Sequence, residues 1–175
     1  MEVIERPQVD DDLVVLPDRT SAINHYIAAA EYYCRQVMDG EIPACKWTRQ
    51  AIARQVEDLQ REPDASWPWV WSEDHATRPC EFVELLPHIK GKWARDRLLV
   101  TLEPWQCFIL TTVFGWVHKD TGMRRFREAY IEVPRKNAKS TLSSGLALFM
   151  LSADGEHGAE VYSAATTRDQ ARIVF

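Results

Sequence analysis

The stretch from Arg125 to Leu142, RFREAYIEVPRKNAKSTL, constrains this chain more than any other. Ala129, Ile131 and Val133 alternate with Glu128, Tyr130 and Glu132, a period of two that predicts a strand. A short polar segment, Pro134 to Ala138, interrupts it. A helical run then starts at Lys139-Ser140-Thr141 and carries Leu142, Leu146, Phe149 and Met150 at three- and four-residue spacing. Strand, tight loop, Lys-Ser/Thr and helix is the layout of a phosphate-binding loop. In such a loop backbone N–H groups and the helix N-terminus hold the phosphates, the Lys reaches the β and γ oxygens, and the hydroxyl ligates Mg²⁺.

The pattern G-x-x-x-x-G-K-[ST] is met only in part, because its two glycine positions hold Val133 and Ala138. Lys-Ser alone reads more simply as a basic turn capped by a hydroxyl. Context favours the functional reading. A second alternating run, Ala159 to Ala164, follows the helix after the stop signal Ala153-Asp154-Gly155. Strand, loop, helix and strand in that order predict a parallel crossover unit.

Five ordered motifs carry a family resemblance. They are Leu102-Glu103-Pro104-Trp105-Gln106, Phe114-Gly115-Trp116, Arg124 to Arg127, Pro134 to Thr141, and Ala164-Ala165-Thr166-Thr167-Arg168-Asp169-Gln170-Ala171. Together they resemble the large terminase subunit of tailed bacteriophages, and the likeness extends upstream to about Ala22. The resemblance implies an α/β fold, with a P-loop NTPase parallel sheet, incomplete in this chain, preceded by an N-terminal helical region. It implies a flexible acidic arm over 1–20, a helical appendage and connector over 21–100, and the start of the ATPase domain over 101–175. The implied activity is ATP-driven translocation of viral DNA into a procapsid, with concatemer cleavage by a C-terminal nuclease.

ATP and Mg²⁺ are the implied cofactors. Pro134, Arg135, Lys136, Asn137, Ala138, Lys139, Ser140 and Thr141 would form the nucleotide loop. Lys139 would stabilise charge on the transferring phosphoryl, and Arg135, early in the loop, would sense the γ-phosphate. Ser140 would offer its hydroxyl to Mg²⁺, and Gln106 would contact the adenine. Ala138 is a departure, since the family more often has Gly there, and its Cβ is harmless only where φ is negative. The implied partners are double-stranded DNA, a small terminase subunit and a portal protein, in a homo-oligomeric ring within the host cytoplasm. The acidic pair of the ATPase, its catalytic Glu, an arginine finger and the nuclease carboxylates would lie beyond Phe175, so this segment alone is expected to be inactive.

Composition sets outer limits. With 46% apolar residues the chain can build a core, and no apolar run approaches a membrane span. Cys34, Cys45, Cys80 and Cys107 are scattered without a C-x-x-C pair, which suggests reduced thiols rather than a disulfide or zinc framework. A net charge of −5 argues against a uniformly basic nucleic-acid binder. It leaves room for a local patch, because Lys119, Arg124, Arg125, Arg127, Arg135, Lys136 and Lys139 fall close together.

Along the chain, Met1 to Arg19 reads as a loosely ordered acidic arm with Asp10-Asp11-Asp12. A helical stripe from Ala22 to Met38 stops at Asp39-Gly40, and Pro43 opens a second helix carrying Cys45, Ile52, Val56 and Leu59, which ends before Pro63. Lys46, Arg49, Arg54 and Arg61 mark that helix's outer face, solvated or facing DNA. Ser66 to Trp71 predicts an extended segment packed over the body, and Cys80 to Leu86 a short helical turn. His88 to Asp96 predicts a connector, and Arg97 to Val100 a short strand. Pro104 then opens a helix with Trp105, Phe108, Ile109, Thr112, Val113 and Trp116 on one face. Two other function classes fit the same residues: a P-loop helicase-like ATPase of another family, and a nucleotide-binding or docking module without hydrolysis.

Overall fold

The computed structural model describes residues 20–172, without the side chains of residues 20–24 and Gln170. The acidic arm, residues 1–19, lies outside the described residues. Helices α1 (Thr20–Met38), α2 (Lys46–Arg61), α3 (Glu73–Glu84), α4 (Gly91–Arg95), α5 (Pro104–Gly115), α6 (Lys139–Ser152) and α7 (Arg168–Ala171) appear in chain order. Strands β1 (Trp69–Trp71) and β2 (Trp116–His118) form a two-stranded antiparallel sheet with Trp71 opposite Trp116.

Helix α5 is the centre. Pro104 occupies its first turn, where a missing N–H costs nothing. Glu103 and Gln106 cap it reciprocally, the Glu103 N–H donating to Gln106 Oε1 at 2.9 Å. The expected single apolar face is replaced by burial nearly all round, with Cys107, Phe108, Leu110 and Phe114 all in the core. A helix apolar on every side needs cover on every side. Here α1 and α3 supply it, within one hydrophobic cluster that runs from Tyr26 to Phe149.

Helix α6 lies against α3, with the Phe149 and Phe82 rings 5.6 Å apart. Gly145 permits the approach, since a Cβ there would meet Val83 Cγ2 at 2.9 Å. The Arg78 guanidinium donates to the Ala153 carbonyl at 2.6 Å, closing the far end of the pair.

Several expectations need correction. Residues 129–133 and 159–164 join no β-ladder among the described residues, so no parallel crossover is seen. A strand is defined by a neighbour that pairs its peptide groups, and alternation supplies no neighbour. Ala129 and Ile131 are accordingly exposed. In place of a strand over 97–100, a single bridge links Leu99 to Pro87. Helix α3 begins at Glu73, capped by Ser72, and passes through buried Pro79. A short helix, α4, interrupts the connector at 88–96.

Helix α2 begins at Lys46 and turns inward Ile52, Gln55 and Asp58, leaving Val56 and Leu59 exposed. Polar partners decide this. The Trp116 indole N–H donates to Gln55 Oε1 at 2.8 Å, and Arg125 donates to Asp58 Oδ2 at 2.6 Å. Trp116 therefore belongs to β2 and to this network instead of extending the face of α5. The extended Trp67–Trp71 segment does pack over the body, as expected, through β1.

Candidate functional site

Chain directions bring the expected site residues to one end of the bundle. Glu84, at the end of α3, accepts the Leu102 N–H at 2.7 Å and the Tyr26 hydroxyl at 3.0 Å. Burial, reinforced by the Glu84 carboxylate, pushes the Tyr26 hydroxyl above its ordinary range and keeps it a donor. Tyr33 of α1 meets Phe108 of α5, so these two helices run parallel. Ser72 N–H donates to the Gly115 carbonyl at 2.8 Å, which sets α3 antiparallel to α5. The contacts Gly145 to Leu86, Phe149 to Phe82 and Ala153 to Arg78 set α6 antiparallel to α3. The N-termini of α1, α5 and α6 consequently share one end, and their dipoles favour an anion there.

The loop entering α6 has an unusual backbone. Lys136 has φ +69° and Ala138 φ +52°, whereas Asn137 between them and the helical Lys139 have negative φ. Alternating φ signs over successive residues turn consecutive N–H groups toward one side, the concavity that binds phosphate in anion nests. Asn137 Nδ2 braces the turn from within, donating to the Pro134 and Arg135 carbonyls at 3.3 Å each. Arg135, Lys136, Lys139, Ser140 and Thr141 are exposed and have no ion-pair partner or side-chain hydrogen bond among the described residues. Their charges and hydroxyls are free for a ligand. An anionic ligand is compatible with this loop's free charges, and Ser140 lies in the first turn of α6 beside it.

Ala138 takes the left-handed conformation at the helix N-cap, with ψ +16°. The condition for a harmless Cβ is not met. Left-handed backbone costs a non-glycine residue about 1–2 kcal/mol. Ala138→Gly is therefore expected to stabilise the fold by about 1 kcal/mol, offset in part by glycine's unfolded-state entropy. A urea midpoint that rises with unchanged slope checks this, and an unchanged or lower midpoint would contradict the strain.

Much of the basic cluster is already engaged. Arg125 pairs with Asp58. Arg124 Nη1 lies 2.8 Å from Asp154 Oδ2, an ionic contact outside hydrogen-bond angles. Lys119 donates to the Glu62 and Asp64 carbonyls. Arg127 keeps no such partner among the described residues. The outer face of α2 is occupied too: Arg54 stacks on Phe126, Arg61 on Trp67, and Arg49 donates to the Val37 carbonyl.

Gln106 is 3% exposed, and its amide oxygen is committed to the α5 cap. Sequence reasoning missed the Asp58–Arg125 and Gln55–Trp116 pairs. The signal was present as Gln55 and Asp58 three residues apart on the same face as Ile52. A cleft of about 680 Å³ opens elsewhere, between α5, α6 and residues 121–131, and no residue from 134 to 141 lines it. Its walls are largely apolar, with Ile109, Val113, Leu146 and Met150 among them.

A loop of alternating φ sign leading into a helix that begins Lys-Ser-Thr has the backbone features of a phosphate-binding loop. Residues 104–175 match the family model described as the terminase large subunit, ATPase domain, and over that stretch the chain is similar to this family. The match begins at Pro104 and does not cover the upstream likeness toward Ala22. Searches of curated proteins and of solved structures return no match.

Proposed function

We propose that the loop from Pro134 to Thr141 binds the phosphates of ATP, with Mg²⁺, as part of the ATPase of a DNA-packaging motor. The alternating φ signs from Lys136 to Lys139 carry this reading, because alternating handedness is the backbone signature of an anion nest and it stands here beside a helix N-terminus. The Lys139 ammonium adds a charge-assisted contact to the β and γ oxygens. Arg135, exposed on the same loop, is the residue assigned to sense the γ-phosphate in this reading. The Ser140 hydroxyl offers an oxygen to Mg²⁺, which when bound neutralises phosphate charge. Gln106 keeps only its amide nitrogen for a base, its oxygen holding the Glu103 N–H. An amide N–H suits the purine N7, which adenine and guanine share, so Gln106 discriminates between them only if the cap opens.

The wider reading rests on the family match. It comprises DNA translocation into a procapsid in the host cytoplasm, a ring of copies, docking to a small terminase subunit and a portal, and a nuclease elsewhere in the protein. The division at residues 20 and 100 belongs to the same reading. Among the described residues no helix is long and apolar enough to cross a membrane.

Lys139→Ala tests the site. Loss of a charge-assisted hydrogen bond removes roughly 1.5–3 kcal/mol, or about ten- to hundredfold in affinity. Titration calorimetry with ATP on the parent and variant is expected to show that loss, with matching thermal melts because the side chain is exposed. Equal affinities would remove Lys139 from the site.

A further inference from the structure

The segment between α3 and α5 carries a surface that the site does not use. Leu85, Ile89, Trp93, Leu98 and Leu99 are exposed there, at 71, 79, 54, 49 and 53%. Lys90, Lys92, Arg95 and Arg97 are exposed among them, against a single acid, Asp96. None of these charges has an ion-pair partner among the described residues. The surface is also held in shape. The His88 N–H donates to the Leu98 carbonyl at 2.9 Å, the Val100 N–H to the Leu86 carbonyl at 2.8 Å, and the His88 ring lies 4.9 Å from that of Trp93 in a tilted contact. A pinned excursion presenting adjacent apolar and basic groups has the character of an interaction surface.

We propose that residues 10–16 of the chain's own N-terminal arm dock on this surface. The arm reads Asp10-Asp11-Asp12 followed by Leu13-Val14-Val15-Leu16, three acids and four apolar side chains in succession. That composition complements the excursion in both charge and hydrophobicity. Position agrees with chemistry. Tyr26 of α1 contacts Glu84, and the excursion departs from the very next residue, so the helix that follows the arm touches the excursion's root six residues after Thr20. From Thr20, Leu16 can reach about 13 Å and Asp10 about 33 Å, at about 3.3 Å per extended residue. Tethering also raises the effective concentration to the millimolar range, so a contact too weak to hold a free peptide is populated in the intact chain. Lys90, Lys92, Arg95 and Arg97 offer the acids their charge partners, and Ile89, Trp93 and Leu99 offer the apolar run its contacts.

Hydrogen exchange read by mass spectrometry on the full chain tests this, with the parent compared with the variant Asp10→Lys/Asp11→Lys/Asp12→Lys. Amides over 85–99 are expected to exchange about tenfold faster in the variant, as loss of a contact of about 1.4 kcal/mol gives, while α5 amides stay unchanged. Adding Lys90→Glu, Lys92→Glu and Arg95→Glu to that variant is expected to restore protection by reversing both sides. Equal exchange over 85–99 in parent and variant overturns the proposal. So does protection that vanishes on dilution, which would assign the surface to a second copy.

Discussion

Asp58→Ala is expected to lower the unfolding free energy by about 3–5 kcal/mol, the effect of removing one partner from a buried ion pair. Asp58 is 3% exposed and holds Arg125 at 2.6 Å. The guanidinium is enclosed by Trp67, Trp116 and Phe126, with ring centroids 5.0 to 5.7 Å away. Aromatic faces attract a cation but accept no hydrogen bond as a carboxylate does, so the variant leaves a largely buried charge without its acceptor. The cost should exceed that of replacing both partners. Asp58→Leu combined with Arg125→Met keeps volume without charge and is expected to recover most of the loss. Urea titrations of the two variants make the comparison. A single-variant loss below about 1 kcal/mol would class the pair with weak surface bridges. The pair also matters for position, because Arg125 roots the 126–138 segment that leads to the nucleotide loop.

Trp116→Ala is the second large effect, again about 3–5 kcal/mol, from the loss of a fully buried indole and the cavity it leaves. Trp116 is wholly buried, pairs with Trp71 across the two-stranded sheet, and meets that ring at 5.4 Å in an edge-to-face contact. Its indole N–H is also the partner of buried Gln55, whose amide oxygen would be orphaned. Trp116→Phe keeps most of the packing and loses the hydrogen bond, so it should fall well short of the alanine variant. Combined with Asp58→Ala, Trp116→Ala should cost less than the sum, since both act on the Arg125 environment. Strict additivity in denaturation would show that the two contacts are independent.

The two effects explain what kept α2 from being read correctly. Val56 and Leu59 made a plausible apolar face, yet Gln55 and Asp58 are turned inward. Helical periodicity ranks faces by hydrophobicity, whereas the folded chain ranks them by available partners. A polar side chain that meets Trp116 Nε1 or Arg125 at hydrogen-bond distance no longer carries the burial penalty that ranking assumes. Gln106 shows the same limit at the site. Its place next to Pro104 was visible, but the reciprocal cap that occupies its oxygen depends on the path by which Glu103 enters α5.

What the sequence determined by itself was local and chemical. Helix positions followed from stripes and stop signals: α1 ends at Met38 before the Asp39-Gly40 stop, α5 opens at Pro104, and α6 opens at Lys139. The order of motifs pointed to the family that the match over 104–175 supports. These depend on covalent neighbours, whose spacing is fixed by the chain. Tertiary structure alone decided the rest. It decided that α5 is enclosed on every side, that Arg124, Arg125 and Lys119 are spent on internal partners, and that Ala138 sits at positive φ. It also decided that residues 129–133 and 159–164 remain without ladders among the described residues. Each of these depends on which distant group arrives alongside, and a side chain's pattern states what it can bind without stating what will be there.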